Sequence, residues 1–285
     1  MDTIETNSWE DFEEKLKKLR AENGSESSPL LFRGQGNSEW KLETTLERYT
    51  KKNEMTFLSY YNLITGAIGP EVRTFAGVDV PERRQDVADS FFDKGLLFKF
   101  PRQFPDPPLY GYMAYLRQLA FPSPLLDWSG SPNVAAFFAF RDDPLVPVAK
   151  RSIYVYCAGT LSGGTLYKPM ILPLGPYVHT HHRHFRQRSE YTFCGNFVEW
   201  DAQWRFDSHE KVFENRHPNQ DQDLVWKFDI PSSERDKVLG ILSDYNLNAF
   251  SLFGSEETLL ETMWFREYPR QTKPVMVQSP VSKSA

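Results

Sequence analysis

The sequence predicts a single mixed α+β domain, and three observations lead there. Apolar residues recur at helical spacing in some segments, as in Trp9, Phe12, Leu16 and Leu19. Other segments are short β-branched or aromatic runs, as at 153–157. Across 285 residues there is no internal repeat and no clear linker. Hydrophobic residues at 40% and charged residues at 25% describe an ordinary globular chain with a sizeable core. The outlier is the 22 Phe, 13 Tyr and 7 Trp against six Met, which points to an aromatic-rich core or ligand cleft.

Each element follows in order. The first helix carries the Trp9 stripe, with Ser8 and Asp11 as a capping box, and the stretch AENGSESSP breaks it. Leu30, Leu31 and Phe32 read as a strand that ends in Arg33-Gly34-Gln35-Gly36, and a second strand is expected around Trp40-Lys41-Leu42. Residues 54–75 read as a helix with Phe57, Tyr60, Tyr61 and Ile64 inward, and 76–109 lack clear periodicity. A helix over 109–119 carries Tyr112, Tyr115, Leu116 and Leu119. Residues 121–140 then give a short strand, a tight turn and a buried helix, with Ser131 as N-cap and Pro132 at the first helical position. That helix start, beside Asp127 and Ser129, suits a phosphate. Strands are expected at 153–157, 170–174, 191–194 and 224–228, and helices at 233–245 and 255–267. Residues 1–268 form the domain, and 269–285 read as a flexible C-terminal tail.

Charge and cysteine usage exclude several classes. A net charge of -5 argues against a protein that coats nucleic acid by global charge, though not against a local basic patch. Cys157 and Cys194 are too few for a disulfide framework or a Cys-rich zinc site. No apolar run approaches a membrane span, and the acidic start MDTIETNSWEDFEEK lacks a signal peptide's features, so the expectation is a cytoplasmic protein with no membrane partner.

Three places could carry chemistry. Arg33 ends an apolar strand, where a guanidinium needs a partner, either an internal carboxylate or a ligand phosphate; Gly34 and Gly36 allow close backbone approach. Asp127-Trp128-Ser129-Gly130-Ser131 forms a strand-to-helix turn of small polar residues, a common site position, although Asp127 could simply cap the turn and Trp128 fill the core. His179 to Arg188 is a basic run holding four of the six histidines, with Tyr177, Phe185 and Tyr191 around it. A solvated loop and a nucleic-acid surface explain that run equally well, ahead of a metal site, because no carboxylate or cysteine stands at ligand spacing.

Phe32-Arg33-Gly34 followed by Trp40, Leu42 and Arg48, the block from Pro122 to Pro132, Arg183 to Cys194, and the closing Phe250 to Glu256 resemble the motifs of FRG-domain proteins. Gln118, Pro124 and Ser189 depart from the family pattern, which holds His, Arg and Gly there. The order of an Arg strand, a Ser strand before an Ala/Phe helix, and a Gln/Glu strand also resembles, more distantly, ADP-ribosyltransferase toxins. That resemblance implies an ADP-ribosyltransferase-like split β-sheet core with flanking helices. It implies NAD as co-substrate, held by Arg33, Gly34, Gln35, Ser129 and Ser131, with no metal. It implies catalysis by Gln187, Glu190 or Asp127, with Glu256 a further carboxylate, Gln187 and Glu190 being expected on opposite faces of one strand.

The expected function is an NAD-dependent ADP-ribosyltransferase, a bacterial toxin or phage-defence effector acting on RNA and neutralised by an antitoxin-like partner. Arg183, Arg186 and Arg188 would hold the nucleic acid. The alternative is a non-enzymatic module that recognises an anionic ligand or nucleic acid.

Overall fold

Period-two alternation of apolar side chains builds the sheet of this chain, described here from a computed structural model that covers residues 1–23, 30–50, 55–96, 107–141, 148–158, 169–214 and 223–268. The strands are β1 (Asp2–Glu5), β2 (Leu31–Gln35), β3 (Leu126–Ser129), β4 (Lys150–Cys157), β5 (Met170–Pro173), β6 (Ser189–Val198), β7 (Gln203–Phe206) and β8 (Leu224–Pro231). They form one open sheet in the order β1-β8-β4-β2-β3-β6-β5, with β7 paired to β6. β1 runs parallel to β8 and the other pairs are antiparallel. The protein is thus a mixed α+β fold with a single open mixed sheet.

The helices are α1 (Trp9–Asn23), α2 (Thr45–Thr50), α3 (Phe57–Asn62), α4 (Gly69–Ala76), α5 (Gln85–Ser90), α6 (Pro107–Gln118), α7 (Pro132–Phe140), α8 (Arg183–Arg186), α9 (His209–Glu214), α10 (Arg235–Asp244), α11 (Ala249–Phe253) and α12 (Glu256–Glu267). In β4, Ile153 and Val155 face one layer, where Phe32, Phe228 and Ile230 meet α1, α7 and α10. Tyr154 and Tyr156 face the other layer, with Leu31, Trp128, Cys194 and Phe213 of α9. A third cluster, rich in Phe and Tyr, packs α3 to α6 onto β5, β6 and β7. The aromatic excess is therefore spent mainly on core. Both cysteines are buried, and no described helix is long and apolar enough to cross a membrane.

Three expectations change. Residues 40–42 form no strand: the Trp40 amide turns back to the Asn37 carbonyl, and the Leu42 amide donates to Glu210 Oε1, so neither is left for a ladder. The helix expected over 54–75 is broken into α3, a π-helical turn (Leu63–Ala67) and α4, because Pro70 has no N–H and restarts the helix near its own position. The strand expected to hold both Gln187 and Glu190 begins only at Ser189; Gln187 closes α8, and Arg188, with φ +47, turns the chain into β6. β1, α2, α5, α8, α9 and β7 are elements the periodicity did not reveal. The tail at 269–285 and residues 24–29 lie outside the described residues.

Candidate functional site

A cleft of about 610 Å³ opens where β2 and β3 part, within the size range of small-molecule sites. The two strands meet at one register pair, Phe32 with Ser129. Beyond it Arg33, Gly34, Gln35 and Gly36 line one side, and Asp127 with Trp128 the other. The loop at 36–44 supplies Trp40, Lys41 and Glu43, α2 supplies Arg48, the end of α6 supplies Arg117 and Gln118, and α7 and α11 supply Phe138 and Phe253.

The charge of this lining is the reverse of the chain's. Arg33, Lys41, Arg48 and Arg117 face only Asp127 and Glu43, in a protein with a net charge of -5. Asp127 Oδ1 accepts from Arg33 Nη1 at 2.7 Å and from Arg117 Nη2 at 2.5 Å. Burial would push this carboxyl up, but the two guanidinium groups outweigh burial and hold it well below the usual carboxylate range. Arg48 responds oppositely: burial and the neighbouring Arg33 and Arg117 lower its pKa. One carboxylate cannot satisfy such a group. Among the described residues, the Nε atoms of Arg33 and Arg117 are buried without a hydrogen-bond partner, as is Gln35 Oε1. The arrangement attracts anions.

The rim is aromatic. Trp40 is 54% exposed over the cleft, and Phe138 packs edge-on to Phe253. Such faces can sandwich a planar ring. Two non-glycine residues border the site in the left-handed region, Ala120 in the lining and Arg188 beside Gly130. Backbone of this kind is held only where its surroundings fix it.

The residues singled out in the sequence fall into three groups. Arg33, Gly34, Gln35, Asp127, Ser129 and Gln187 all line the cleft. Within it, Ser129 Oγ donates to the Gln187 carbonyl at 2.7 Å and accepts the Ser131 amide at 3.1 Å, while Gln187 Nε2 donates to the Leu252 carbonyl at 3.3 Å. Gly34 serves packing: a Cβ there would stand 1.9 Å from the Ala135 carbonyl oxygen and 2.6 Å from the Ala139 nitrogen, so only glycine lets β2 lie against α7.

The second group lies outside the lining. Ser131 is the N-cap of α7, its Oγ accepting the Val134 amide. With Ser129 of β3 holding the Ser131 amide, Ser131 holding the Val134 amide and Pro132 having none, part of the phosphate seat expected at the start of α7 is used internally. Glu190 lies half-buried opposite Trp128 on β6, and burial raises its pKa against the pull of Arg188. Glu256 is exposed on the first turn of α12. Asp127 is a cleft residue, but its pairing makes it a poor base.

The third group is the basic run, which borders the cleft. Arg183 lies 5.3 Å from the Phe253 ring centre and donates to the Gln118 carbonyl at 3.4 Å. Arg186 covers Gly254, and Arg188 covers Gly130. Arg186, Arg188, Phe185 and Tyr177 are exposed. Among the described residues no three His, Cys, Asp or Glu side chains gather to hold a metal ion.

Arg117, Glu43 and Phe253 were missed as site residues. Arg117 gave one signal, a lone cation in the last turn of an apolar helix. Beneath the site, Trp128 Nε1 donates to Thr192 Oγ1, which also bonds His209 Nε2, both at 2.9 Å. Burial first, then Arg33, lowers the His209 pKa to about 3, so this imidazole is neutral.

Residues 28–145 match the family model of the FRG domain. No curated protein and no solved structure gave a match. The matched span contains Arg33, Arg48, Arg117 and Asp127, whereas Gln187 and Phe253 come from beyond it.

Proposed function

Since residues 28–145 of the chain match the FRG domain, we propose that its cleft binds NAD and that the protein is an NAD-dependent ADP-ribosyltransferase. The observation that carries the reading is the cation excess around Asp127. Two guanidinium groups, Arg33 and Arg117, share the Asp127 carboxylate, a third, Arg48, stands within electrostatic reach of them, and the Nε atoms of Arg33 and Arg117 are buried without a partner among the described residues. A diphosphate would offer acceptors to the guanidinium groups that line the cleft, and Trp40, Phe138 and Phe253 supply apolar faces for the rings on either side of it. The parting of β2 and β3 fits a split-sheet core of the ADP-ribosyltransferase kind.

In this reading Arg33, Arg48 and Arg117 anchor the diphosphate, and Gln118, Ser129 and Gln187 border the reacting ribose. Cleavage of the nicotinamide–ribose bond sends its electron pair to the departing neutral nicotinamide and leaves an oxocarbenium-like C1′, which a carboxylate stabilises. The acceptor attacks C1′ and yields its proton to a base. The bordering basic segment with Arg183, Arg186 and Arg188 would present an RNA acceptor, phosphates on guanidinium groups and bases on Phe185 or Tyr177. A toxin or phage-defence effector with a neutralising partner accords with such an activity.

The test is release of free nicotinamide from NAD by the purified protein, with NAD binding followed by calorimetry for wild type and Arg33→Ala. Nicotinamide release, together with loss of binding in Arg33→Ala, supports the enzyme. NAD bound and left intact favours a recognition module, the reading that the neutralised Asp127 supports. Absence of both NAD binding and cleavage overturns the proposal.

A further inference from the structure

We infer that Glu43, a residue no motif singles out, is the carboxylate that carries the chemical step in this cleft. The inference rests on the NAD-cleaving reading above and deepens it. Only two carboxylates line the cleft among the described residues, Asp127 and Glu43. Asp127 Oδ1 is occupied by Arg33 and Arg117, which suits it to orient those cations and unsuits it to take a proton. Glu190 and Glu256 lie outside the lining, and Gln187 has no charge to offer a developing cation. The carboxylate of Glu43 has no hydrogen bond or ion pair among the described residues, is half-buried, and lies within electrostatic reach of Arg48.

The chain holds Glu43 in place although it stands in a loop. Thr44 and Glu47 form a reciprocal capping box at the start of α2: the Thr44 amide donates to Glu47 Oε2 at 2.7 Å, and the Glu47 amide to Thr44 Oγ1 at 3.2 Å. Glu43 is the residue immediately before that cap. On its other side Leu42 is fully buried and its amide donates to Glu210 Oε1 at 2.9 Å, while Gln35 Nε2 donates to the Lys41 carbonyl at 3.1 Å. The backbone is thus pinned on both sides of a side chain left without a partner. A fixed frame around an uncommitted polar group is what a preorganised catalytic side chain requires.

The step balances within the proposed reaction. As the C1′–N bond breaks and nicotinamide leaves with the bonding electrons, the Glu43 carboxylate faces the positive charge at C1′. As the acceptor's oxygen or nitrogen bonds to C1′, its proton passes to Glu43 and from there to water. Removing the carboxylate should lower turnover by about 10²–10⁴-fold, the usual range for a positioned acid or base.

The experiment measures NAD affinity by calorimetry and nicotinamide release for wild type, Glu43→Gln, Glu43→Asp and, as a control, Glu39→Gln. Glu39 is exposed on the same loop and outside the lining. Wild-type affinity with release lowered at least a hundredfold in Glu43→Gln, an intermediate rate in Glu43→Asp and wild-type behaviour in Glu39→Gln support the assignment. Should Glu43→Gln not fold, as read by circular dichroism, the rate of Glu43→Asp decides alone. Wild-type release with less than a tenfold drop in the folded Glu43 variants overturns Glu43 and leaves the NAD reading standing. Wild-type protein that never cleaves NAD overturns both.

Discussion

Arg33 grips Asp127 twice: one nitrogen, Nη1, donates to the Asp127 backbone carbonyl at 2.8 Å and to its carboxylate at 2.7 Å. A single guanidinium thereby ties β2 to β3 beyond the one register pair at which the strands meet. Arg117 of α6 adds a second cation to the same carboxylate oxygen. This pairing is the internal Arg–carboxylate contact that a cation at the end of an apolar strand calls for. It leaves a surplus of positive charge, which gives the cleft its character.

Asp127→Asn should destabilise the fold by about 1–3 kcal/mol, between the ranges for exposed and buried pairs, because Arg33 and Arg117 then face each other uncompensated. The pH dependence has a definite sign. The folded carboxyl titrates below the ~3.9 of an unfolded aspartate, so its contribution is complete above that value and is lost as pH falls toward the folded one. Urea unfolding between pH 7 and 2 should show this loss in wild type and not in Asp127→Asn. Equal acid limbs in the two proteins would refute the pairing.

Gly34→Ala should cost about 3 kcal/mol or more, since the new methyl group meets backbone atoms of α7 that cannot rotate away. Thermal and urea unfolding measure it. Wild-type stability in this variant would mean that β2 and α7 are not in contact at this position.

Ser131→Ala should lower stability by about 0.5–2 kcal/mol through loss of the α7 cap and leave NAD affinity unchanged. The combination separates a capping role from the ligand-binding role that the motif resemblance implies. Affinity lost without loss of stability would restore Ser131 to the site.

His209 should remain neutral in the folded protein through the pH range in which an exposed imidazole titrates. Its folded pKa of about 3 lies below the ~6.5 of an exposed imidazole, so the unfolded chain binds the proton first as pH falls. Wild type should accordingly lose stability from about pH 6.5 downward relative to His209→Gln. An NMR titration checks the same point: a His209 ring that titrates near pH 6.5 would contradict its burial beside Thr192.

Arg186 and Arg188 should govern the salt dependence of single-stranded RNA binding. Each phosphate contact removed lowers the slope of log affinity against log salt by about 0.7. Arg186→Ala and Arg188→Ala should each do so, whereas Arg183→Ala should act less on the slope, because Arg183 is engaged with Phe253 and the Gln118 carbonyl. Slopes unchanged in both variants would make the run an ordinary solvated surface.

The residue pattern alone set the elements whose signals are local. The stripe from Trp9 to Leu19, the alternation in β4 and the Ser131-Pro132 start of α7 were legible because helix spacing, strand period and capping are properties of neighbouring residues. It also marked Arg33, Asp127, Ser129 and Gln187, all of which reach the cleft. Tertiary structure decided which of these remain available for chemistry. That Asp127 is consumed by Arg33 of β2 and Arg117 of α6, and that Glu43 has no hydrogen-bond or ion-pair partner among the described residues, depend on how separate elements come together around the cleft. A residue's type sets what it can do, but its partners set what it has left to do, and those partners are assembled by the sheet.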